Sequence, residues 1–98
     1  MIKKSRQKQE NYVPITGKEL KIAAIKGLKV RYQEKYYSPY DSHMNYNKIC
    51  RMTPANEGYY IGQSDIDPSC FDDDDIVSCM DFGEGFISIY KVPGVEYK

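Results

Sequence analysis

The clearest periodicity in the chain lies between residues 15 and 33, where a helical spacing of apolar positions gives way to strict alternation. The run Ile15, Thr16, Gly17, Lys18, Glu19, Leu20 has the form of a helix start. Thr16 serves as N-cap, Glu19 at N3 completes a capping box, and Ile15 with Leu20 closes a hydrophobic staple. The pattern predicts a helix through Leu20, Ala23, Ala24 and Ile25, interleaved with Lys18, Lys21 and Lys26. It should stop at Gly27, which takes the left-handed C′ conformation without a Cβ penalty. A helix of about ten residues is marginal alone, so its apolar stripe needs a partner surface. The following residues offer one: Leu28, Val30 and Tyr32 alternate with Lys29, Arg31 and Gln33, the period of a half-buried strand continuing toward Tyr37.

Pro39 and the polar run around Asp41, Ser42, His43 and Asn45 end that strand. Tyr46 to Met52 predicts a second strand, Pro54 to Gly58 a turn, and Tyr59 to Ile61 a short third strand that Gly62 weakens. Residues Asp65 to Asp75 read as a loop, since Pro68, serine and aspartate are poor strand formers. Ile76 to Phe82 and Phe86 to Val92 bracket Gly83, Glu84 and Gly85, the sequence form of a β-hairpin. The second of these runs has apolar residues on both faces, as suits a central strand, and Pro93 ends it. The expected fold is α+β: one short N-terminal helix packed on a mostly antiparallel sheet of four to five strands.

Length adds that 98 residues make one domain. Residues Met1 to Asn11 lack periodicity and read as a flexible basic arm, with the single domain spanning 12–98. With 41% apolar and 29% charged residues the composition is that of a globular chain, which excludes wholesale disorder. No stretch approaches the roughly 20 apolar residues of a membrane span and no apolar leader opens the chain, so a cytoplasmic protein without membrane contact is expected. Cys50, Cys70 and Cys79 fit neither a disulfide framework nor a zinc knuckle and are expected reduced.

The formal net charge of zero conceals a polarity along the chain. Residues Met1 to Arg51 carry twelve Lys/Arg against four Asp/Glu, and Met52 to Lys98 carry two against ten. Oppositely charged halves can neutralise one another, present two surfaces to partners, or support self-association, a homodimer included. The acidic charge is densest at Asp72, Asp73, Asp74 and Asp75, flanked by Asp65, Asp67, Asp81 and Glu84. Asp65, Asp67 and Ser69 match the opening of a calcium loop, but Cys70 stands where its glycine is needed and Ile76 where its bidentate glutamate is needed. No metal and no cofactor are therefore expected. Two readings remain: carboxylates that imitate nucleic-acid phosphates on a basic groove, or a solvated loop that pairs with the lysine-rich half.

Ten tyrosines and no tryptophan are the second oddity. Tyr32, Tyr36, Tyr37, Tyr40 and Tyr46 fall among Lys29, Arg31, Lys35, Lys48 and Arg51, a mixture suited to stacking on bases or to protein interfaces. The lone His43 has no nucleophile motif beside it, and no phosphate-binding or metalloprotease motif occurs, so no catalytic residue is assigned and no enzyme is expected.

The short capped helix from Thr16 to Lys26, the glycine and the basic strand Leu28 to Tyr32, in a Lys-, Tyr-, Asn- and Asp-rich chain, resemble small phage-encoded anti-defence proteins. Two groups are similar. Anti-CRISPR proteins use acidic surfaces to fill an effector's nucleic-acid site, which Asp72 to Asp75 would match. Nucleotide sponges sequester signalling nucleotides, which the Tyr and Lys/Arg cluster would match. The resemblance implies a non-enzymatic inhibitor of a bacterial defence effector such as a CRISPR nuclease. Its partner-binding residues would be Asp65, Asp67, Asp72, Asp73, Asp74, Asp75, Asp81 and Glu84, with Tyr36, Tyr37 and Tyr40. On this reading direct nucleic-acid binding is not expected; the alternative is a sponge that holds a nucleotide through Tyr and Lys/Arg.

Overall fold

The computed structural model describes residues 12–36, 46–81 and 85–98. Helix α1 spans Gly17–Lys26. Strands β1 (Lys29–Tyr36), β2 (Tyr46–Arg51), β3 (Thr53–Pro54), β4 (Tyr59–Ile61), β5 (Ser64–Ile66), β6 (Ser78–Asp81) and β7 (Gly85–Lys91) follow. They form a four-stranded sheet of order β2-β1-β7-β6 and a small sheet of order β3-β4-β5, with every pairing antiparallel. The α+β class holds, with more strands than the four to five expected.

The helix is set by its ends. Thr16 Oγ1 accepts from the Glu19 N–H at 3.3 Å, and Glu19 Oε1 accepts from the Thr16 N–H at 3.0 Å, the two halves of the capping box. Gly27 closes α1 in the left-handed region at φ 68°. Leu20, Ala23 and Ala24 join Val30, Tyr32, Ile87 and Ile89 in one core, to which the small sheet adds Ile61 and Ile66. The inner face of the large sheet thus lies under α1 and the small sheet.

Register decides which residues face that core. Val30, Tyr32 and Glu34 of β1 share the inner face with Ile87 and Ile89 of β7, so Arg31, Gln33 and Lys35 lie on the outer face with Tyr90, Ser88 and Phe86. On β2, Asn47, Ile49 and Arg51 are outer-face partners of Gln33, Arg31 and Lys29.

Three departures from the sequence reading are local. Ser64–Ile66, expected as the entry to a loop, pairs with β4, and Thr53–Pro54 pairs on its other side. Pro54 is tolerated because β3 is an edge strand. Ile76 and Val77, expected in the hairpin, leave β7 and pair with residues 14–16 instead. Thr16 bridges Ile76, and the Val77 N–H donates to Ile15 O at 3.0 Å. Residues 13–16 take the vacated edge of β7, where Ile15 N–H reaches Ile89 O at 3.0 Å and Lys91 N–H reaches Val13 O at 2.8 Å. The expected turn residues Gly83 and Glu84 lie outside the described residues.

Glu19 also joins the helix to β7 through Lys91 Nζ at 3.1 Å. Burial pushes its carboxyl up, but the Thr16 N–H, Lys91 and the Thr16 hydroxyl outweigh that and hold it below its ordinary value. A lowered carboxyl adds stability above its unfolded pKa and loses it as pH falls through the folded one. Glu19→Gln keeps a capping side chain but no charge. Its urea midpoint should lie below wild type at neutral pH and converge with it as pH falls through the lowered carboxyl value of the folded state. A gap of unchanged size at the acid end would show that ionisation is not the source.

Candidate functional site

Two surfaces carry the charge. The first is the aspartate loop, which docks on the N-terminus of α1 through its backbone. Gly17 N–H donates to Asp75 O at 2.8 Å and Lys18 N–H to Asp73 O at 3.1 Å. With the Thr16 side chain serving the Glu19 N–H and the Glu19 carboxylate serving the Thr16 N–H, all four N-terminal donors of the helix are satisfied. The carboxylates play a smaller part. Asp73 pairs with Lys21 Nζ at 3.0 Å, and Asp75 Oδ2 accepts from the Asp72 N–H at 3.3 Å. Both aspartates are exposed, so the Lys21 pair is worth little. The carboxylates of Asp65, Asp72 and Asp74 have no polar partner among the described residues. Asp67 caps the short 3-10 turn Pro68–Cys70, and its bonds from the Ser69 hydroxyl and N–H hold its carboxyl below the ordinary value. An open cleft of about 470 Å³ beside this loop is lined by Glu57, Tyr60, Asp65 and Asp67 among others. Among the described residues no group of three or more His, Cys, Asp or Glu is arranged to hold a metal ion.

The second surface is the outer face of the large sheet. Tyr12 packs on Tyr90 with ring centroids 5.1 Å apart, and the Arg31 guanidinium sits 4.7 Å from the Tyr12 ring centre. Arg31 donates to Asn47 Oδ1 at 2.8 Å, Asn47 Nδ2 reaches the Tyr12 hydroxyl at 3.5 Å, and the Tyr90 hydroxyl donates to Gln33 Oε1 at 3.3 Å. Five side chains from four stretches of chain thus hold one another in place. Around them Ile49 and Phe86 remain 40% and 41% exposed. Lys29 and Arg51 stand at one end of β1 and Lys35 at the other. Among the described residues no Asp or Glu occupies an outer-face register position of the four strands, so these positions are cationic although the chain is neutral.

Behind it lies a buried polar cluster. Glu34 is 2% exposed and accepts from the Tyr32 hydroxyl and from Gln63 Nε2, the latter at 3.3 Å, while the Tyr32 and Ser64 hydroxyls lie 2.8 Å apart. The Cys50 thiol nearby is half-buried, and burial pushes it up, so it rests as the thiol.

The residues singled out by sequence are dispersed by this arrangement. Asp65, Asp67 and Asp72 to Asp75 fall on the acidic side, and Asp81 ends β6. Tyr36 ends β1, while Tyr37, Tyr40 and Glu84, like His43, lie outside the described residues. Tyr32, grouped with the binding tyrosines, is a core residue at the centre of β1, and Tyr46 packs edge-on against it at 5.7 Å. The sequence pattern alone does not single out Tyr12, Tyr90, Phe86, Gln33 and Asn47 as a surface. Parity could have found some of them. Once Val30 and Tyr32 point inward, Arg31 and Gln33 must point outward, and Tyr90 has the opposite parity to Ile87 and Ile89. No helix among the described residues is long and apolar enough to cross a membrane. No family model, curated protein or solved structure matches this chain.

Proposed function

We propose that the protein is a non-enzymatic binding protein that sequesters a ligand carrying both aromatic bases and phosphates on the outer face of its large sheet. The observation that carries this reading is the Tyr12–Arg31–Tyr90 stack, set on a face whose described strand positions hold cations and no carboxylate. Rings offer stacking to a base, the cations offer charge to a phosphate, and the hydrogen bonds that fix them lower the ordering cost of binding. The setting would be the host cell's cytoplasm, where such a protein withdraws a nucleotide-type ligand from a defence pathway. Thermal melts with cyclic dinucleotides, ADP-ribose derivatives and short oligonucleotides test it. A bound ligand at about 100 times its Kd should add about 2.7 kcal/mol of stability. Tyr12→Ala should remove that gain, and a chain whose melting point no member of the panel moves is not such a binder.

A second reading is favoured by the exposed carboxylates of Asp65, Asp72 and Asp74, which have no polar partner among the described residues. They could grip a cationic surface of a bacterial effector, an anti-CRISPR type of action, with the Glu57–Tyr60–Asp65 cleft taking a basic side chain. This is a different face, and changing Asp72 and Asp74 to Asn tests it without touching the tyrosines. Because the loop meets the helix through its carbonyls, that double variant should stay folded.

A further inference from the structure

We infer that the ligand of the outer face is a single strand of nucleic acid lying along β1 and β7, an inference that rests on the reading of this face as base- and phosphate-binding. The aromatic groups stand at two separate places on β7. Tyr90, with Tyr12 against it, and Phe86 are four residues apart on one strand and one face. That places them about 13 Å apart at roughly 3.3 Å per residue. One base cannot cover both. A small nucleotide would use the Tyr12–Tyr90 pair or Phe86 and leave the other idle, whereas a chain of bases can stack on both in turn.

The cations follow the same line. Lys29 and Arg51 pair across β1 and β2 beyond the Tyr12–Tyr90 stack, Arg31 lies within it, and Lys35 lies directly opposite Phe86. Positive charge therefore recurs along the whole path, as a chain with a phosphate at every unit requires. Between the two aromatic stations stand Gln33, Ser88 and Asn47, short polar groups able to meet a base edge or a sugar hydroxyl. A duplex is the poorer fit, since its base faces are already stacked and a broad sheet does not enter a groove. An acidic peptide would use the cations and leave the rings without purpose.

On the anti-CRISPR reading direct nucleic-acid binding is not expected. Register favours the opposite reading: Glu34 faces the core and Asp81 holds an inner-face register position, so the described outer-face positions of the four strands carry one sign of charge.

The test is binding by fluorescence anisotropy to pyrimidine oligonucleotides of about ten nucleotides, as DNA and as RNA, in competition with a mononucleotide and a cyclic dinucleotide. The oligonucleotides should bind at least about 100-fold more tightly than the mononucleotide. Tyr12→Ala and Phe86→Ala should each weaken them by about tenfold, as loss of one stacked base does, and Tyr12→Phe should not. Lys35→Gln or Arg51→Gln should flatten the log–log salt dependence by about 0.7 each, the slope of one phosphate contact on a single strand. If the mononucleotide or the cyclic dinucleotide binds as tightly as the oligonucleotides, the strand is wrong and the face remains a nucleotide site. If neither class binds, or Tyr12→Ala and Phe86→Ala leave binding intact, both the strand and the face as a base-binding surface are overturned.

Discussion

Replacing Gly17 with alanine is expected to destabilise the fold by about 3 kcal/mol, which in a domain of this size lowers Tm by roughly 15 °C. A Cβ at this position would stand 2.1 Å from the carbonyl oxygen of Asp72 and 3.1 Å from Cβ of Phe71. The nearest atoms are backbone, so no side-chain rotation relieves the clash. The aspartate loop must back away from the helix, and the bonds from Gly17 N–H to Asp75 O and from Lys18 N–H to Asp73 O lengthen with it. Gly27→Ala is the control. Gly27 has φ 68° and nothing within 4 Å of an added Cβ, so its cost is the left-handed strain alone, about 1 kcal/mol. Thermal melts of the two variants should differ by about 10 °C. Equal losses would mean that close docking of the acidic loop contributes nothing to stability.

Tyr32→Ala is expected to cost about 4 kcal/mol, much of the 5 to 15 kcal/mol that holds a small domain together. Tyr32 is fully buried, its ring lies against Gly62 and edge-on to Tyr46, and its hydroxyl serves Glu34 and Ser64. Alanine would leave a ring-sized void beside a buried carboxylate that has lost a donor. Tyr32→Phe separates the two effects: it keeps the packing and removes the donor, and should cost about 1 to 3 kcal/mol. Urea denaturation measures both. A phenylalanine variant as unstable as the alanine one would place the whole effect in the hydrogen bonds to Glu34 and Ser64.

These two positions also show what could be read along the chain and what could not. The capping box, Gly27 and the alternation of β1 are local patterns with local causes, and the structure has each where the sequence predicts it. The pairing of residues 13–16 with β7 is not local, and nothing in Val13, Pro14 and Ile15 names Ile89 as a partner. The aspartate run misleads for another reason. Four carboxylates in a row draw attention to side chains, but the loop meets the helix through carbonyl oxygens that every residue possesses. Gly17, read as part of a helix start, was the trace of that contact. The tyrosines were legible as a class and not as a surface, because sorting Tyr32 inward and Tyr90 outward requires knowing which strands are neighbours.

The wedging of residues 13–16 between β7 and Val77 has a consequence for biosynthesis. Ile15 is made early, but the Ile89 carbonyl that receives its N–H and the Val77 N–H that seeks its carbonyl are made near the other end of the chain. β1 waits in the same way, its neighbour β7 arriving only after every other strand has been translated. At about 5 to 20 residues per second the nascent polypeptide spends several seconds with α1 and β1 lacking their cover. Helix α1 and β1 therefore reach their native contacts only once β7 has emerged, and a message cut short before Gly85 yields a product that protease, not partner, will meet first.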